Sequence, residues 1–143
     1  MKNWISKVIT YQQATRWSVF LFSFFAVFHF SIIIGIIFFN YVPIDYLWGG
    51  RMQTKEELMV FEIISMTIMG ICLWVVLVHA GKIKMPRLRG FATVVLWILV
   101  VLFVLNTVGN IVAKTTFEKF FTIVTTISAI LCLRMVIEKP SQS

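Results

Sequence analysis

Residues Phe91–Ala113 read FATVVLWILVVLFVLNTVGNIVA, twenty-three positions without a charged side chain. At 1.5 Å per residue this stretch makes a helix about 35 Å long, enough to cross a hydrocarbon core about 30 Å thick. Three further runs share its apolar character: Trp17–Phe39, Leu58–Ala80 and Phe120–Ile137. Lipid is therefore the expected solvent for most of the chain. The expected fold class is all-α, an antiparallel bundle of four transmembrane helices. The spans are placed at about 17–40, 55–80, 89–113 and 116–137, in a single integral membrane domain covering 1–143.

Composition agrees. The chain is 59% hydrophobic and 13% charged, against about 45–50% apolar and roughly 25% charged in soluble domains. A net charge of +7 would suggest nucleic acid in a soluble protein. Here the cations cluster at the ends of the apolar runs, where they anchor helices and set topology. The expected partner is thus the lipid bilayer, and no nucleic acid.

The run ends carry stop and start signals. Before the first span, Trp4, Ile5, Val8 and Ile9 form one apolar helical face opposed by Lys2, Asn3, Lys7 and Gln12. That pattern fits a short interfacial helix within residues 1–16, or an extension of span one. Pro43 disfavours helix at Val42. Thr54 through Glu57 matches a capping box, and so does Thr115 through Glu118. Gly81 is placed to end span two, and Pro140 follows span four. The short link between spans three and four makes them antiparallel neighbours.

Counting Lys and Arg gives orientation. Lys2, Lys7, Arg16, Lys82, Lys84, Arg87, Arg89, Arg134 and Lys139 fall on one side, and Arg51, Lys55, Lys114 and Lys119 on the other. The positive-inside rule then puts both termini in the cytoplasm. The loop holding Trp48, Gly49, Gly50 and Arg51 faces outward.

Polar residues inside the spans need a reason to be there. Glu62 lies about 10 Å in from the start of span two. An intramembrane charge costs at least ~2.5–3.5 kcal/mol near the bilayer centre, so it faces the bundle interior and finds a partner. Arg51 and Lys55 are candidates for a structural pairing. Asn106 and Asn110, at i, i+4 on one face of span three, reach the same depth as Glu62. They act either as interhelical glue or, with Glu62, as the lining of a polar pocket covered by the Trp48–Arg51 loop. His29, near the midpoint of span one, is a candidate proton relay. No carboxylate is expected level with it, so a bond to backbone or serine is the expected state. His79 differs from it in depth by roughly 20 Å, which excludes a bis-histidine haem. Neither a metal site nor any other cofactor is expected.

Cys72 and Cys132 fall at similar depth and read as packing residues. A small-residue stripe of Thr122, Thr125, Ala129 and Cys132 marks an interior face of span four. Ser65, Met69 and Cys72 do the same for span two, and Ser31 and Gly35 for span one. No nucleotide, catalytic or metal motif occurs, so no catalytic residue is assigned and an enzyme is not the favoured reading.

Glu62, then Gly70, then Gly81 closing span two, a basic loop and two further spans together resemble the DoxX-like group of small four-helix bacterial membrane proteins. The likeness covers roughly residues 58–100. It implies a bacterial inner-membrane protein, sometimes linked to redox or quinone processes, and supplies no catalytic residues.

Three functions follow as expectations. The first is binding or transport of a small lipophilic or cationic ligand, or a lipid, at Glu62, Asn106, Asn110, Arg51 and Trp48. A homodimer suits that version, because a pocket within four helices is small. The second is a non-catalytic accessory subunit of a larger membrane complex. The third is a quinone-linked redox membrane protein.

Overall fold

A computed structural model describes residues 7–112 and 116–138. Four helices account for most of it: α1 (Tyr11–Phe39), α2 (Lys55–His79), α3 (Arg89–Ile111) and α4 (Thr116–Ile137). All four are long and apolar enough to cross a membrane. The hairpin pairs α1–α2 and α3–α4 pack most extensively, and α1–α4 and α2–α3 contacts close the ring. This is the expected antiparallel four-helix architecture, and it fits a multi-pass membrane protein.

Helix boundaries follow local chemistry. Thr54 caps α2, its hydroxyl accepting the Glu57 N–H at 3.1 Å. The Glu57 carboxylate returns to the N–H of Gln53 at 2.8 Å, one residue further out than the capping box requires. Gly81, at φ +72, ends α2, and the Lys82 N–H reaches back to the Leu77 carbonyl at 2.9 Å. Asn40 takes the left-handed conformation after α1, with the Tyr41 N–H on the Gly35 carbonyl at 3.0 Å. The second expected capping box begins at Thr115, outside the described residues.

The start of α1 corrects an expectation. Residues 1–6 of the expected interfacial segment lie outside the described residues. Lys7 and Val8 are helical, the helix breaks at Ile9 and Thr10, and α1 begins at Tyr11. Residues 11–16 therefore belong to the first long helix. The cause is a full capping box. The Thr10 hydroxyl accepts the Gln13 N–H at 3.2 Å, and the Gln13 side chain accepts the Thr10 N–H at 2.9 Å. Hydropathy missed this turn because it is polar, yet it buries Ala14 and Thr15.

The two ends of the bundle differ. The end bearing the start of α1 and the end of α4, here the terminal end, holds the main core. Phe22, Cys72, Val76, Leu96, Cys132 and Met135 belong to it, with both thiols buried and free. At the opposite, hairpin end the core shrinks to Ile36, Leu47 and Leu58. Outward faces carry large exposed apolar side chains such as Phe20, Phe24, Phe38 and Ile98, the surface a lipid environment requires. The interior stripes expected on α2 and α4 are found: Ser65, Cys72, Ala129 and Cys132 are buried. The stripe on α1 is not. Ser31 is exposed and spends its hydroxyl on the Val27 carbonyl at 2.8 Å, while Ile33 and Ile36 face inward instead.

Candidate functional site

Between the two core clusters the buried stripe of α1 is interrupted. Phe22 and Ile33 are buried, but Phe25 and His29, on the same face between them, open onto a cavity. Its volume is about 360 Å³, within the range of roughly 300–1,000 Å³ common for small-molecule sites. All four helices contribute walls.

Glu62 is the polar centre of the cavity. It lies about two turns into α2 and is 1% exposed. Each of its oxygens has a partner from another element. Oε2 lies 2.6 Å from Nδ1 of His29, on α1. Oε1 accepts the indole N–H of Trp48 at 2.9 Å. The partner expected from depth alone was wrong. No carboxylate was placed level with His29, yet Glu62 meets it directly. Counted from the hairpin end, His29 lies ten residues inside Phe39 and Glu62 seven inside Lys55. Three residues are about 4.5 Å of rise, which two side chains bridge easily.

Trp48 reaches Glu62 from the connection between α1 and α2. It sits at φ +54, a conformation that costs a bulky side chain about 1–3 kcal/mol. Three contacts hold it there. The indole donates to Glu62, the ring packs on Phe61 at 5.3 Å between centroids, and the 3₁₀ turn Trp48–Gly50 packs against α4. The cover expected over the pocket is therefore present, pinned through the Trp48 nitrogen. Arg51 is exposed and does not line the cavity, so its expected place in the site is corrected. Lys55 is occupied elsewhere, donating to the Asn40 side chain at 2.9 Å.

Asn106 and Asn110 line the cavity from α3, as their shared face and depth require. Asn106 is exposed and Asn110 half-buried. Among the described residues neither amide bonds Glu62, whose oxygens are already taken. Hydroxyls complete the polar lining. Thr125 lies on this wall and is bonded by Thr107 at 2.9 Å, and Ser128 is buried with its hydroxyl on the Val124 carbonyl.

The remaining wall is aromatic. Phe22 stacks on Phe103 at 5.9 Å, and Phe25 meets Phe121 at 6.0 Å, each pair joining α1 to a helix of the other hairpin. Phe28 and Trp48 add two more rings. Sequence reading missed this wall, along with Glu118, a second carboxylate on the lining. Glu118 had been assigned to helix capping. The spacing of Phe22, Phe25 and His29 at i, i+3, i+7 was the available signal.

His79, the other histidine, sits at the terminal end. Its Nδ1 shares a 2.9 Å bond with the Tyr11 hydroxyl, remote from His29 as the depth count required. Among the described residues no three His, Cys, Asp or Glu side chains converge as a metal site.

Comparison with protein-family models, curated proteins and solved structures finds no match to this chain. The site is therefore read from its own geometry. That geometry has a distinctive charge balance. The chain carries thirteen Lys and Arg against six Asp and Glu. Among the described residues no Lys or Arg lines the cavity, whereas Glu62 and Glu118 both do.

Proposed function

We propose that the protein binds a small lipophilic organic cation in this cavity and carries it across the membrane. The observation that supports the reading most is the charge inversion: a chain of net charge +7 lines its interior cavity with two carboxylates and aromatic rings. Ring faces attract a cation by about 0.5–2 kcal/mol each when water is excluded. A carboxylate at ~5 Å adds about 3 kcal/mol at an effective dielectric of ~20. Neither needs a hydrogen-bond donor on the ligand, which suits a charge buried inside alkyl or aryl groups. In the orientation favoured by the Lys and Arg distribution, both termini are cytoplasmic and the cavity lies in the outer half of the bilayer.

The test is binding of tetraphenylphosphonium to the purified full chain, by titration calorimetry in mild detergent. Glu62→Gln keeps the shape and removes the charge, so its dissociation constant should rise about a hundredfold, the equivalent of ~3 kcal/mol. If Glu62→Gln binds within threefold of the natural protein, the reading is wrong.

A further inference from the structure

We propose that the terminal end binds an anionic phospholipid, its phosphate held between Arg16 and Lys82. The proposal stands apart from the cation reading, because it concerns a second cavity at the other end of the bundle. A cleft of about 550 Å³ lies between the start of α1 and the end of α2. Gln12, Thr15, Arg16 and Val19 form its α1 wall at i, i+3, i+4 and i+7, one face of a helix. Leu77 and Ala80 face them from α2, and Lys82 closes the rim. The left-handed turn at Gly81 folds Lys82 back over the helix end, with its N–H on the Leu77 carbonyl at 2.9 Å.

The cleft is graded from polar to apolar. On α1 the lining passes from Gln12 and Arg16 to Val19, which lies about 10 Å deeper than Gln12. On α2, running the opposite way, it passes from Lys82 to Leu77. Both walls are therefore polar toward the helix ends and apolar toward the span centres. Trp17, exposed beside Arg16, belongs at the boundary between water and lipid. A phospholipid has the same order, phosphate above and acyl chains below. A free phosphate would use the rim and leave the apolar floor to water.

The charges select an anion. Among the described residues neither Arg16 nor Lys82 has a side-chain partner, and no Asp or Glu lines the cleft. Arg89, Arg134 and Glu138 act electrostatically on Tyr11, another wall residue, and Glu138 is paired with Arg134. Lys84 and Arg87 follow Lys82 in the loop. With Glu138 counted, the surroundings still carry an excess of positive charge. A zwitterionic headgroup brings an ammonium that this field repels, so a headgroup of net negative charge is preferred. The Arg16 guanidinium suits two phosphate oxygens at once, and Lys82 supplies a point charge.

Native mass spectrometry of the full chain, released from micelles holding equal amounts of phosphatidylglycerol and phosphatidylcholine, tests this. Phosphatidylglycerol should be retained about tenfold over phosphatidylcholine. In the double variant Arg16→Gln, Lys82→Gln the ratio should fall to about threefold or less. The double variant Lys84→Gln, Arg87→Gln removes the same charge outside the cleft and should keep the preference. No preference in the unsubstituted chain overturns the proposal, and that measurement needs no variant. An equal loss in both double variants also overturns it, by showing a diffuse basic surface in place of a site. Excess glycerol phosphate should leave the lipid in place. If it strips the lipid, the cleft takes free phosphate and the lipid assignment is wrong.

Discussion

The two histidines of this protein mark two ends built on different terms. At the terminal end His79 is 2% exposed and shares its Nδ1 with the Tyr11 hydroxyl at 2.9 Å. At the hairpin end His29 meets Glu62 at 2.6 Å and lines a cavity. Around His79 the helices close on the main core, and buried Arg134 donates its Nε to the Ile9 carbonyl at 2.7 Å. Around His29 the core gives way to aromatic walls and to the Asn106 and Asn110 amides, which have no side-chain partner among the described residues. Glu62, at 1% exposed, is as buried as His79, so burial does not separate glue from site. What separates them is whether a polar group is used up by its neighbours. Side-chain bonds across helices hold the terminal end together. At the hairpin end the same kind of bond orients a charge toward space.

The largest effect expected at the terminal end comes from Arg134→Met. This leaves the Ile9 carbonyl without its donor and removes the pairing with Glu138 on the next turn. An orphaned buried acceptor costs about 1–3 kcal/mol, and the half-exposed Glu138 pair adds little. The thermal midpoint in mild detergent should drop clearly, with tetraphenylphosphonium affinity within threefold of the original in the folded protein. A parallel loss of affinity would mean that the two ends do not divide the work, and the comparison would break there.

Gly81→Ala should come second. Its φ of +72 is unfavourable to any side chain, and an added Cβ would lie 2.6 Å from the Arg89 guanidinium. The long Arg89 side chain can move aside, so the backbone dominates at about 1–2 kcal/mol. Gly70→Ala is its control. It is mid-helix with nothing within 4 Å of the added atom, and should be neutral or stabilising by up to ~1 kcal/mol. Equal losses of thermal stability in both would show that α2 tolerates neither, and that helix termination at Gly81 is not the cause.

These same elements show what could be read from the chain alone. Thr54 and Gly81 were legible because a cap and a left-handed stop depend on adjacent residues. The meeting of Glu62, Asn106 and Asn110 on one cavity was legible because helical rise per residue is nearly constant, so depth can be counted. The His29–Glu62 pair was not, for a related reason. Depth counting treats residues as points, and a difference of three residues hid a direct contact. Rotation about the helix axis was harder still. Eight of the chain's fourteen phenylalanines lie on α1 and leave its hydropathy pattern nearly uniform, so Phe22 and Phe25 facing the cavity look like Phe20 and Phe24 facing outward. Trp48 was placed over the site, but its bond to Glu62 depends on a left-handed backbone that no local rule assigns to tryptophan.

The smallest effect sharpens the comparison most. Tyr11→Phe removes one hydroxyl and leaves His79 Nδ1 without its partner. The net loss for one such bond is about 1 kcal/mol, a shift of a few degrees in thermal midpoint. Its information lies in cation binding. If the terminal-end histidine is structural, tetraphenylphosphonium affinity should match the unsubstituted protein within about threefold. If Tyr11→Phe weakens binding as Glu62→Gln is expected to, the two ends are coupled along the length of the bundle. The division between a closed end and a working end would then be false. An affinity untouched by Tyr11→Phe and lost in Glu62→Gln would tie the difference between the two ends to the carboxylate held on the cavity.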